Sequence, residues 1–168
     1  KFRQIVDEKF DHLNVDNNDY VSQIEWMKQA DVLQELVKGK GNHPDEIKRF
    51  RDALVLFSDG LGLFPGTKMN KEQLFKAGLQ FAKKQHDLKR LGKETVYEKV
   101  YNALFDVVDT NNDGTLSLDE VKIMMKTFHD KDDPGAAEAL FNMADKNKNG
   151  KIERGEFINF KFNAMFNP

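Results

Sequence analysis

The stretch DTNNDGTLSLDE, residues 109–120, decides the reading of this chain. Oxygen-bearing side chains fall at its first, third, fifth, ninth and twelfth places (Asp109, Asn111, Asp113, Ser117, Glu120). Gly114 supplies a sharp turn at the sixth place, and the carbonyl of Thr115 follows at the seventh. Ca²⁺ demands this spacing, because it takes about 6–8 hard oxygens at about 2.3–2.6 Å, the last pair from one bidentate carboxylate. Leu116, at the eighth place, is apolar and suited to a short strand that pairs with a neighbouring loop.

Working outward, Val96, Val100, Leu104 and Val108 recur at helical spacing before the loop, and Val121, Met124, Met125 and Phe128 after it. This helix–loop–helix unit is the EF-hand pattern D-x-[DN]-x-[DN]-G-x₅-E. It returns 36 residues on, from 109 to 145, as DKNKNGKIERGE. There Asp145, Asn147 and Asn149 stand at the first, third and fifth places, Gly150 at the sixth, Lys151 at the seventh, Ile152 at the eighth, Glu153 at the ninth and Glu156 at the twelfth. Ala137, Leu140, Phe141 and Ala144 lead in, and Phe157, Ile158 and Phe162 lead out. Lys146, Lys148 and Lys151 weaken this site modestly through screened repulsion.

Two further units precede these. With Glu25 as the closing residue of NVDNNDYVSQIE, the ligands are Asn14, Asp16, Asn18 and the Tyr20 carbonyl, with Val21 at the eighth place and Ser22 at the ninth. Asp19 then stands where glycine is usual and is expected to take the positive-φ turn. Phe2, Ile5, Val6, Phe10 and Leu13 form the helix before this loop. Trp26, Ala30, Leu33 and Val37 form the one after it, with Gly39, Gly41 and Pro44 punctuating its end. The second unit has apolar helices (Ile47, Phe50, Leu54, Phe57; Leu74, Phe75, Leu79, Phe81, Ala82) around GLFPGTKMNKEQ. Its ligand places hold Gly62, Phe64, Gly66 and Gln73, with no carboxylate, so this hand is expected to be structural. Its Lys68-Met69-Asn70 should pair with Tyr20-Val21-Ser22.

The expected fold is therefore all-α: four EF-hands in two pairs (I with II, III with IV) in one compact body, with a short two-stranded ribbon between the loops of each pair. The expected divisions are 1–82, a basic linker 83–93 (KKQHDLKRLGK), and 94–168. Three Ca²⁺ ions are expected, at hands I, III and IV.

Composition narrows the rest. Twenty-six basic and 28 acidic residues leave a net charge of −2, which gives no global pull toward nucleic acid or acidic membranes. No apolar run approaches the roughly 18 residues of a membrane span. The absence of cysteine removes disulfides, thiolate metal sites and cysteine nucleophiles. His12, His43, His86 and His129 make no zinc spacing and read as surface histidines. No nucleophilic triad or phosphate loop is present, so a non-enzymatic, cytoplasmic, monomeric protein is expected. Trp26, the 14 Phe and the 6 Met read first as core and second as the wall of a ligand pocket.

Four hands with a silent second one, over this length, resemble the sarcoplasmic calcium-binding protein family. LGLFPGTKM (61–69) and FNMADKNKNGKIERGEF (141–157) look most like its coelenterazine (luciferin)-binding branch. The resemblance implies one of three roles: a muscle-type Ca²⁺ buffer, a calcium-regulated photoprotein, or a luciferin carrier. The family's photoproteins hold their chromophore with His, Trp and Tyr; the corresponding places here are Val6, Lys161 and Met165, which argues against a photoprotein. A buffer is the leading expectation, a calcium-triggered carrier of a small apolar ligand such as coelenterazine the second, and a calmodulin-like sensor the third. A closed cavity of a few hundred Å³ would separate carrier from buffer.

Overall fold

The computed structural model describes residues 2–14, 16–40, 44–129 and 134–166, with the side chains of 128, 129, 134 and 164–166 left out. Gly41, His43 and the side chains of Phe128, His129 and Met165 thus lie outside the described residues. In chain order the elements are α1 (Phe2–Leu13), β1 (Val21–Ser22), α2 (Gln23–Leu36), α3 (Pro44–Leu61), β2 (Lys68–Met69), α4 (Lys71–Arg90), α5 (Val96–Val108), β3 (Thr115–Leu116), α6 (Leu118–His129), α7 (Pro134–Ala144), β4 (Ile152–Glu153) and α8 (Arg154–Phe166).

The two ribbons form as the apolar eighth places require. β1 pairs antiparallel with β2 (Val21 opposite Met69), and β3 with β4 (Leu116 opposite Ile152). Val21, Leu116 and Ile152 are fully buried, so each ribbon anchors its loops to the core. Where a hand's second helix begins, the residue at the ninth place caps it and the closing residue bonds back. Ser22 with Glu25, Asn70 with Gln73 and Ser117 with Glu120 each make this reciprocal pair. Gln73 keeps the cap although hand II has no carboxylate, which explains its place in a structural hand.

α3 packs along α5 and α2 against α6, so the two hand pairs share one core. Asp106 on α5 accepts from Arg49 on α3 at 3.2 Å and from Arg154 on α8, a further tie between the pairs. The basic stretch 83–93 differs from expectation: α4 runs through it to Arg90. Gln85 is buried there and accepts from the Val96 amide at 2.7 Å, while Lys83, Lys84 and Lys89 project to solvent from the helix surface.

Candidate functional site

Loops I, III and IV share one hydrogen-bond pattern. The third-place side chain accepts from the fifth-place amide (Asn18 to Asp16 Oδ1, 3.2 Å; Asp113 to Asn111 Oδ1, 3.3 Å; Asn149 to Asn147 Oδ1, 3.3 Å). The fifth-place side chain accepts from the seventh-place amide (Tyr20 to Asn18 Oδ1, 3.0 Å; Thr115 to Asp113 Oδ1, 2.9 Å; Lys151 to Asn149 Oδ1, 3.0 Å). These Asx turns fix the third- and fifth-place side chains of each loop. The fourth place is left-handed in all three: Asn17, Asn112 and Lys148 have φ of 54°, 55° and 54°.

Gly114 and Gly150, also at positive φ, aim their amides at the first ligand, 2.9 Å from Asp109 Oδ2 and Asp145 Oδ2. Hand I corrects one expectation here. Asp19 is not at positive φ; the left-handed residue nearby is Asn17, a type that tolerates that region. The Tyr20 amide instead turns back onto the carbonyl and side chain of Asn18. Asn14 therefore receives no amide of the kind that Asp109 and Asp145 receive.

Burial of these polar groups is the chemical signal. Asp109, Asp145, Glu25 and Glu120 are all nearly inaccessible, a costly placement for carboxylates without a cation or strong donors. Burial pushes Asp109 up, while the Thr115 amide holds Asp113 down. Asn14 Oδ1, Glu25 Oε2 and Asp145 Oδ1 are buried without any hydrogen-bond partner. Those are first- and twelfth-place oxygens of hands I and IV, atoms that a divalent cation would take, so the residues present fit Ca²⁺. Among the described residues no three acidic or imidazole groups form a ready-made cluster. Hand III shows why: Glu120 is drawn onto the Thr110 amide (2.9 Å) and the Ser117 amide (2.9 Å). Tyr20, Thr115 and Lys151 lie at the strand starts, and Asn111 and Asn147 on the loop crests. Glu156 accepts from the Glu153 amide at 3.0 Å. In hand II, Phe64 is half exposed and no Asx turn replaces those of the other loops.

A second feature lies beneath the loops. A cavity of about 1000 Å³ opens among the helices that enter and leave them. α1 gives it Val6 and Lys9; α2 gives Trp26 and Gln29; α3 gives Leu54, Phe57 and Leu61; α5 gives Tyr97, Val100 and Tyr101; α8 gives Phe160 and Lys161. Rings run along this wall: Trp26 to Phe57 (5.0 Å between centroids), Phe57 edge-on to Tyr97 (4.9 Å), and Tyr97 stacked on Tyr101 (6.3 Å). Burial pushes both tyrosines well above the ordinary phenol range. Trp26 donates to the Leu54 carbonyl at 3.0 Å, which fixes its plane. The primary reading of Trp26 as core packing is corrected in part, since it is buried and also walls this space. His12, expected at the surface, is half-buried and lines the same cavity.

Residues 97–160 match a family model described as the EF-hand domain pair. Residues 97–160 thus carry an EF-hand domain pair. It is 27% identical over 149 residues to aequorin-1 of Aequorea victoria, across 88% of this chain and 74% of that one. It is 25% identical over 147 residues to the luciferin-binding protein of Renilla reniformis, across 87% and 76%. Its fold is similar to that of Mg²⁺-loaded apo-berovin, a ctenophore photoprotein whose three Ca²⁺-binding loops all bind Mg²⁺. There the TM-score is 0.86 at 28% identity, covering 98% of this chain and 87% of that one. The chain is thus similar in sequence to a photoprotein and a luciferin-binding protein, and in fold to a photoprotein. Among the described residues no helix is long and apolar enough to cross a membrane.

Proposed function

We propose that this EF-hand protein is a calcium-triggered carrier of a small, polyaromatic apolar ligand of the coelenterazine kind, with cation sites in hands I, III and IV. The observation that carries the reading is the aromatic cavity of about 1000 Å³, which lies at the upper end of small-molecule sites and has no purpose in a buffer. The relatives support the same choice, so the carrier moves ahead of the buffer that the sequence favoured.

The geometry supplies a coupling. Cation ligands and cavity wall are neighbours on the same helices: Glu25 immediately precedes Trp26, and Glu156 lies one turn before Phe160 and Lys161. Tyr97 and Tyr101 stand on the helix that ends at Asp109. Bound Ca²⁺ supplies a divalent charge that gathers the oxygens of places 1, 3, 5, 7 and 12. For Glu120 to join them it must leave the Thr110 amide, and that exchange moves the start of α6 relative to the end of α5. In hand I Glu25 Oε2 has no bond to leave, and its movement toward a cation would carry the adjacent Trp26. Each shift alters the cavity wall, so ligand and cation compete through the helices, and linkage makes the antagonism reciprocal.

The test is a titration of Trp26 fluorescence, the single tryptophan, with coelenterazine in chelator and then in calcium. Saturable one-to-one quenching that calcium reverses supports the carrier. Absence of saturable binding in both media returns the protein to the buffer reading.

A further inference from the structure

Two amines share the cavity with its rings. Lys9 comes from α1 and donates to the Gln29 side chain, with its Nζ 5.9 Å from the centre of the Trp26 ring. Lys161 comes from α8, and no hydrogen bond or ion pair joins it to any described residue. The other charged groups at this cavity are Glu8, Asp11 and His12. Glu8 accepts from Gln4 at 3.1 Å and Asp11 pairs with Lys71 at 2.9 Å, both on exposed surface. Neither serves Lys161.

Two half-buried ammonium groups in one aromatic cavity, with no carboxylate placed against Lys161, carry a desolvation cost that a negative group joining them would relieve. Burial lowers Lys161 to about 8; burial and then the charge of Lys161 lower Lys9 to about 7. A negative charge placed between them relieves both penalties, while an entirely apolar ligand relieves neither.

Resting on the carrier reading, we propose that the cavity holds its ligand as an anion: a flat aromatic molecule carrying one acidic group, such as a sulfate, carboxylate or ionised enol, seated against the Lys161 ammonium with Lys9 behind it. Selection is then by charge as well as shape, because the rings accept many flat apolar molecules and the amines prefer those that bring a negative group.

The test uses two probes with the same aromatic frame, anilinonaphthalene sulfonate and its uncharged counterpart phenylnaphthylamine, titrated against the full chain in chelator. The wild type is expected to bind the sulfonate more tightly. In Lys161→Met the preference should fall at least tenfold, with phenylnaphthylamine affinity changed less than twofold. Lys161→Arg should keep the preference, and Lys84→Met, on exposed α4 surface, should leave it unchanged. A wild type that prefers the neutral probe overturns the proposal even if a variant fails to fold, and so does a preference unchanged in Lys161→Met. If neither probe binds the wild type, the carrier reading itself fails; if only the neutral probe binds, the carrier reading stands and the anion is wrong.

Discussion

Replacing Glu25 by Gln should move stability in opposite directions with and without calcium. Glu25 Oε1 accepts from the Ser22 amide at 3.2 Å, a bond that a glutamine oxygen keeps. Oε2 is buried with no partner, and the side chain is nearly inaccessible. An unsatisfied buried oxygen costs about 1–3 kcal/mol, more when charged; glutamine removes the charge but leaves an unpaired Nε2 in its place, so the calcium-free protein should gain about 1 kcal/mol. For a chain of this length that is a rise of about 2–4 °C in Tm. In calcium the sign reverses, because a hundredfold loss of affinity at one site forfeits about 2.7 kcal/mol of linkage stabilisation. Glu120→Gln is the internal contrast. Both its oxygens are bonded, at 2.9 Å to Thr110 and 2.9 Å to Ser117, so it should lose stability in both media. Thermal melts by circular dichroism in EGTA and in calcium check this. Equal destabilisation of Glu25→Gln in both media would refute the claim that the buried Oε2 waits for a cation.

Calorimetry should count three Ca²⁺ per chain; two would remove hand I, and four would overturn the structural role given to Gly62–Gln73. Saturating calcium should raise Tm strongly, since the native loops bind the ion and the unfolded chain does not, and an unchanged melt would contradict the site assignments. Gly60→Ala should lower stability by up to about 2 kcal/mol, because its Cβ would strike the Phe81 ring and overpacking outweighs the gain in helix propensity; an unchanged or higher Tm would show that the ring yields. In chelator, Lys9→Met/Lys161→Met should raise Tm most near pH 7 and progressively less toward pH 10. Both folded amines sit low (about 7 and about 8), so between those values and the ordinary lysine value of 10.5 the unfolded chain binds more protons and wild-type stability climbs with pH; a Tm difference independent of pH would argue against amines desolvated at the cavity.

Hands and ribbons were legible because both rest on fixed spacings: a ligand every second place, then an apolar eighth residue whose strand partner is set by loop pairing. The pairing of Val21 with Met69 follows even though hand II has no ligands. The turn at Asp19 was not legible: hands III and IV are left-handed at both the fourth and the sixth places, whereas hand I, with no glycine at the sixth, is left-handed only at Asn17. Helical periodicity shows which faces of α1, α2, α5 and α8 turn inward, but not whether the inward faces meet. Trp26, Tyr97 and Tyr101 look the same in a filled core and around a cavity. Lys161 falls between Phe160 and Phe162 and Lys9 between Glu8 and Phe10, and a lysine in either place is usually read as a stem lying along the surface. The capping pairs Ser22–Glu25 and Asn70–Gln73 could have been found from their three-residue spacing, and they explain why the closing place of hand II holds Gln73.

The central claim is that cation loops and aromatic cavity are one coupled device. Its most direct measurement is calcium affinity by calorimetry with and without saturating coelenterazine, alongside coelenterazine affinity with and without saturating calcium. The account predicts that each ligand weakens the other by the same factor, about 5–150-fold for a coupling of about 1–3 kcal/mol. Tight coelenterazine binding with calcium affinities unchanged would contradict it.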